Sequence, residues 1–250
     1  MPGPEAPPAD LRVERVLSDG PLATPFVELP GGRFAMGSEL RDDEQPSREV
    51  LVGAFAVALT PVSNAEYRRF LDETQHEPPR FWDEERFNAA DCPVVGVSWF
   101  DAVDYCAWLS ALLTRRCRLP TEAEREYAAR ADAQGLRFPW GDEPWDEGRF
   151  ALGAAGADRP YRVGSTPPNG FGLYHMAENV HEWCEDWYAP RYAAGDLDRP
   201  RGPAEGERRA SRGGSWRHRV KVTSISARSS LPPDRRYNDY GLRVYADPAD

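Results

Sequence analysis

The sequence predicts an α+β fold, and three observations carry that expectation. Three helix starts with one shared capping signature fall between residues 60 and 125. Strand-like segments precede them. Beyond Arg130 regular periodicity fades while Trp, Tyr, Gly and Pro accumulate, a composition that suits short strands, tight turns and long ordered loops held by aromatic packing. At 250 residues, 40% hydrophobic and 29% charged, the chain can bury one substantial core, so a single domain over residues 21–250 is expected.

The opening MPGPEAPPAD cannot bury enough apolar surface to offset its ordering entropy. Residues 1–20 are therefore predicted to form a disordered tail, with order beginning near Phe26. Residues 31–38 (GGRFAMGS) read as a short strand running into a turn, residues 39–44 as an exposed acidic loop, and residues 50–59 as one strand. The helix starts are Ser63 with Glu66, Ser98 with Asp101, and Thr121 with Glu124. In each, the hydroxyl accepts from an early backbone N–H while the carboxylate reaches back toward the cap, although Asp101 is short for that second bond. The second helix carries Trp99, Ala102, Val103, Cys106, Leu109 and Leu113 at helical spacing, which turns Cys106 toward the core. Residues 189–206, rich in Pro, Gly and charge, suit a mobile surface excursion.

Charge is unevenly distributed. The whole chain sums to 31 − 41 = −10. Residues 201–245 hold eleven Arg or Lys against four acids, a local excess of 11 − 4 = +7 that leaves −17 for the remainder. Such an acidic protein is poorly suited to non-specific nucleic-acid binding, which depends on neutralising phosphates. The basic segment suits an anionic small molecule or protein partner, against the plainer alternative that its arginines pair with the protein's own carboxylates. No apolar run approaches the roughly 18 residues of a membrane span, and the N-terminus lacks the basic start and apolar stretch of a signal peptide. A cytoplasmic protein with no membrane partner is expected. Cys92, Cys106, Cys117 and Cys184 show no CxxC spacing, so they read as buried free thiols rather than a zinc knuckle or redox pair.

Several motifs then occur in a fixed order: residues 118–127 (RLPTEAEREY), 138–143 (FPWGDE), 169–174 (NGFGLY), 179–183 (NVHEW), 209–218 (RASRGGSWRH), 227–230 (ARSS) and 241–244 (GLRV). Over roughly residues 26–246 the chain resembles the formylglycine-generating enzymes, also called sulfatase-modifying factors. The resemblance implies an α+β fold related to C-type lectins, low in regular secondary structure. Two or three helices would pack on twisted antiparallel sheets, and a C-terminal segment would line the ligand cleft.

In the enzymes of that family, two cysteines just after the Gly-Gly-Ser-aromatic motif bind copper and perform the oxygen chemistry. Aligned on residues 213–216, their places fall at His218 and near Thr223, and no cysteine follows Cys184. Soft thiolates select Cu(I), so copper and formylglycine generation are not expected. The family's calcium ligands correspond to His175, Glu178, Val180 and Glu182, with His175 a departure because calcium prefers oxygen. Histidines 175, 181 and 218 all lie in the region the family uses for binding. Trp183, Trp187 and Tyr188, with Trp140, Trp145 and Trp216, offer either an aromatic cleft wall or core packing.

Two functional readings follow from the resemblance. In the first, the protein is a non-catalytic member that holds a ligand or partner through its C-terminal segment, as retroelement-diversified variable proteins on this scaffold do. Trp216, Arg217, His218, Arg219, Lys221, Thr223, Ser224, Arg235, Arg236, Tyr237 and Asn238 would be the exposed contacting set. In the second, it is a divergent metal-dependent oxidoreductase with His ligands replacing Cys.

Overall fold

The computed structural model describes residues 13–15, 25–131, 136–141, 158–193, 195, 197–218 and 223–249. Along the chain these form β1 (Val13–Arg15), β2 (Pro25–Leu29), β3 (Gly32–Met36), β4 (Arg48–Val52), β5 (Phe55–Ala58), α1 (Asn64–Thr74) and α2 (Trp99–Leu113). Then come β6 (Cys117–Arg118), α3 (Glu122–Arg130), β7 (His181–Trp187), β8 (Arg209–Arg212), β9 (Arg228–Leu231), β10 (Tyr240–Gly241) and β11 (Tyr245–Ala246). The expected α+β architecture is observed.

All three helices begin with a complete capping box. Thr121 Oγ1 accepts from Glu124 N at 3.1 Å while Glu124 Oε2 accepts from Thr121 N at 2.9 Å. Asp101, thought too short, does reach back and accepts from Ser98 N at 2.7 Å. Its other oxygen accepts from Arg236 at 2.8 Å, which fixes the carboxylate over the first turn. Thr121→Ala and Ser63→Ala should each cost about 1 kcal/mol, seen as lower urea midpoints. Unchanged midpoints in both variants would mean that these hydroxyls do not cap.

A five-stranded sheet, ordered β1-β2-β5-β11-β6, forms the centre. Strand alternation sorts its side chains into two cores. Phe26, Ala56, Ala58 and Ala246 pack with α1 and α2, burying Tyr67, Phe70, Tyr105, Cys106 and Leu109. Val27, Leu29, Phe55, Val57 and Tyr245 face the other way, against α3 residues Ala123 and Ala128 and the β3-β4 hairpin. A second sheet, ordered β10-β7-β8-β9, carries the C-terminal motifs.

Four expectations change. Val13–Arg15 pairs antiparallel with β2, so these three residues of the stretch expected to be a tail form an edge strand of a sheet. The single strand over residues 50–59 is two, β4 and β5, in different sheets. The chain breaks at Gly53, against which Gly31 packs so closely (φ 72°) that a Cβ on Gly31 would lie 2.4 Å from the Gly53 carbonyl oxygen. The acidic loop over residues 39–44 ends in a 3-10 turn that buries Glu44 completely, where it accepts from the hydroxyls of Ser38 and Ser226. The excursion over residues 189–206 is tied down where Leu51 N donates to Leu197 O and Arg199 N to Leu51 O, both at 2.8 Å.

All four cysteines are free and buried. Burial pushes the thiols of Cys92 and Cys106 up and that of Cys117 to about 11, so they remain protonated. Among the described residues, no helix is long and apolar enough to cross a membrane.

Candidate functional site

The Gly-Gly-Ser motif turns the chain out of β8 and across the start of β7. Gly213 and Gly214 have φ of 101° and 61°. A Cβ on Gly214 would sit 2.3 Å from Thr223 Cγ2 and 2.7 Å from the Ala177 carbonyl oxygen, so only glycine permits this passage. Trp216 N then donates to Asn179 O at 2.8 Å and His218 N to Ser215 O at 2.9 Å, which fixes the turn against β7. On the other side, His181 N donates to Asp239 O at 2.8 Å, and β10 runs parallel to β7 with Tyr240 opposite His181.

Three segments distant in sequence thereby bring His181, His218 and Asp239 together, each offering one donor atom within 4.8 Å of the others. The two imidazole rings meet edge to face at 4.9 Å, and His181 also packs on Tyr240 at 4.7 Å. His181 is buried and its Nδ1 has no hydrogen-bond partner. Burial, with His218 and Arg125 nearby, lowers its pKa to about 3, so the ring stays neutral. Burial also lowers His218, which Asp239 partly offsets. Asp239 is positioned by Ser215, whose hydroxyl donates to Oδ2 at 3.0 Å. His181 and His218 open onto a cleft of about 180 Å³, shared with Arg41, Gly213, Gly214 and Ser229.

Beneath the cleft lies a buried ion-pair network. Glu182, fully buried, accepts from Arg125 at 2.6 Å and Arg243 at 2.9 Å. Glu122 pairs with Arg228 at 2.6 Å, and Glu126 with Arg212 at 2.6 Å and Arg130 at 2.5 Å. Burial alone would raise the Glu122 and Glu182 carboxyls, but their arginines outweigh it and hold both below the usual range. The C-terminal arginines 212, 228 and 243 are therefore structural, the plainer of the two uses weighed for the basic segment. Sequence reasoning missed this network. Its signal lay in Glu122, Arg125 and Glu126, which share an α3 face at helical spacing, and in the surplus of arginine among otherwise apolar C-terminal motifs.

The proposed contacting set divides. Arg217, Arg235 and Tyr237 are exposed, while Trp216, His218 and Asn238 are partly so. Arg217 reaches Asn238 Oδ1 at 3.3 Å, and Trp216 packs on Phe87. Arg236 is partly buried by its bond to Asp101. Thr223 and Ser224, expected on the surface, are instead buried, because the chain passes under the Gly214 turn on its way to β9. Arg219 and Lys221 lie outside the described residues.

The residues corresponding to the calcium ligands do not fit that ion. Glu182 is neutralised by two guanidinium groups, while Glu178 accepts from the Ala177 N–H and lies 2.9 Å from the His175 ring. His175 joins Thr166, Glu178 and Trp140 around a separate recess and is not part of the 181–218 cluster. Nor do the residues around the Gly-Gly-Ser turn suit a copper–thiolate centre, since no cysteine follows Cys184 in the chain.

Among the described residues, the aromatics do not converge on a common wall. Trp183 is core, Trp187 and Trp99 enclose the Arg209 guanidinium at 3.5 and 3.9 Å, and Trp140 stacks on Phe138 at 4.9 Å. Trp145 lies outside the described residues. A larger cavity of about 340 Å³, between Met36, Asp186, Tyr192 and Pro203, holds a carboxyl that burial raises to about 7, that of Asp186.

Fold and site together define an α+β domain in which a glycine turn crosses the start of a buried strand to form a small His-lined cleft. The chain belongs to the sulfatase-modifying factor enzyme 1-like domain family, whose model matches residues 18–248. It is 31% identical to the formylglycine-generating enzyme of Bos taurus over 90% of this chain and 75% of that protein. It is 34% identical to the serine/threonine-protein kinase pkn1 of Chlamydia pneumoniae, over 89% of this chain but only 38% of the kinase's length. Among solved structures it is similar to PvdO from Pseudomonas aeruginosa (TM-score 0.81, 28% identity, 95% and 99% of the two chains). Treponema denticola variable protein 1 shares the fold (TM-score 0.78, 22% identity, 96% and 100% of the two chains).

Proposed function

We propose that this protein is a ligand-binding member of the family that does not generate formylglycine. The observation that carries the reading is that no cysteine follows Cys184, while the family's enzymes carry two just after the Gly-Gly-Ser-aromatic motif. Aligned on residues 213–216, their places fall at His218 and near Thr223, and the chain's four cysteines are buried thiols elsewhere. Without a thiolate pair, the oxygen chemistry of those enzymes has no site at which to begin. Beside the cleft lies a candidate recognition surface. Trp216 supplies a partly exposed aromatic plane, Arg217 an exposed guanidinium held near Asn238, and Tyr237 an exposed ring. This combination suits a small molecule or peptide with an anionic group, and the overall charge of −10 disfavours nucleic acid.

The purified protein, supplied with copper and reductant, is expected to leave the cysteine of a sulfatase-type peptide unconverted. Aldehyde above a no-protein control would overturn the non-catalytic half of the reading. For the binding half, small molecules released on denaturing the protein from its native cells should include a species missing from a folded Trp216→Ala, Arg217→Ala double variant. Identical release from parent and variant would remove this edge from the site.

A further inference from the structure

We propose that His181, His218 and Asp239 form a binding site for one divalent first-row transition-metal ion. The inference does not depend on which ligand the cleft takes, nor on the formylglycine question.

Four observations support it. The donor atoms of the three side chains lie within 4.8 Å of one another, although the residues come from the start of β7, the turn after β8 and the residue before β10. Two of the three, His181 and His218, line a cleft of about 180 Å³, which leaves room for further ligands. His181 is 5% exposed and carries a ring nitrogen with no partner, a buried polar atom whose cost a metal or a metal-held group would remove. Asp239 is steadied by the Ser215 hydroxyl at 3.0 Å, the outer hydrogen bond that orients ligating carboxylates.

The chemistry of the set selects the ion. Two imidazoles and one carboxylate suit zinc, iron, cobalt or nickel in the divalent state, while calcium and magnesium prefer all-oxygen surroundings. Bonds of about 2.0–2.2 Å bring adjacent ligand atoms to roughly 3 Å, so the cluster must contract by 1–2 Å. Partly exposed His218 sits on a turn outside the strand ladder and can supply that movement. Three protein ligands leave positions open toward the cleft, where an oxygen or nitrogen donor of a bound molecule or a water can enter.

The test is titration of the chelator-stripped protein with cobalt(II), followed by its visible d–d absorption and by calorimetry. One equivalent should bind, with bands typical of nitrogen and oxygen ligation. His218→Ala and Asp239→Asn should each weaken binding at least about tenfold. His76→Ala, just past the end of α1 and not among the residues lining the cleft, should leave it unchanged. Circular dichroism identifies any variant that fails to fold, and His218→Ala, altering a partly exposed ring, is the variant expected to keep the fold. Absence of a saturable single site, or equal cobalt affinity in parent and folded His218→Ala, would overturn the assignment. So would loss of binding in His76→Ala with retention in His218→Ala.

Discussion

Replacing Glu182 by Gln is expected to destabilise the protein by about 3–5 kcal/mol, because it leaves two buried guanidinium groups without a counter-charge. Arg125 is 1% exposed, Arg243 is fully buried, and both donate to the same carboxylate. A surface ion pair lost in this way would cost a few tenths of a kcal/mol; here neither arginine can turn to water. The acid response should change with it. Its two arginines hold the Glu182 carboxyl below the ordinary glutamate value of about 4.5, so its pairing contributes stability above that pH and loses it as pH falls through the lowered folded value. The gap in stability between parent and Glu182→Gln should therefore narrow as the solution is acidified below about 4.5. Urea unfolding at several pH values measures both effects. A gap under 1 kcal/mol at pH 7, or one that widens in acid, would show that the pairing is not as described.

Trp183→Ala should cost a similar amount, about 3–5 kcal/mol, for a different reason. The ring is fully buried, packs on Tyr240 at 5.0 Å, and its indole N–H donates to Val97 O at 3.1 Å. Truncation opens a cavity in the core between the two sheets and strands a buried carbonyl. Trp183→Phe keeps most of the volume and loses only the hydrogen bond, so it should lie between the parent and the alanine variant. Equal losses for Phe and Ala would place the energy in the hydrogen bond rather than in packing.

What the sequence revealed and what it concealed follow from the range of the forces involved. The caps at Ser63, Ser98 and Thr121 were legible because each is a bond over three residues. Cys106 could be placed in the core from helical spacing alone. Glu44 was misjudged because its burial depends on Ser226, 182 positions away. The same holds for residues 50–59, which divide at a glycine crossed by another part of the chain. At the site, the family resemblance pointed to His181 and His218, and with them His175, which the fold places elsewhere. Asp239 went unremarked because only the parallel register of β10 on β7 brings it there, and no local pattern encodes that register.

Strand β7 carries two unlike tasks on its two faces. His181 and Trp183 point to the Tyr240 side, and Glu182 between them points to the arginines. Mutational drift on this strand is therefore penalised twice, since any slip in register would exchange a cleft imidazole for a buried carboxylate. The turn carrying His218 bears no such double constraint. Its side chain extends from a segment whose path is set by glycines and backbone bonds, so residues with different donor atoms can replace one another there without rebuilding the frame. A scaffold divided in this way can lose one chemistry and acquire another at the same place, with the old frame still paying the folding cost.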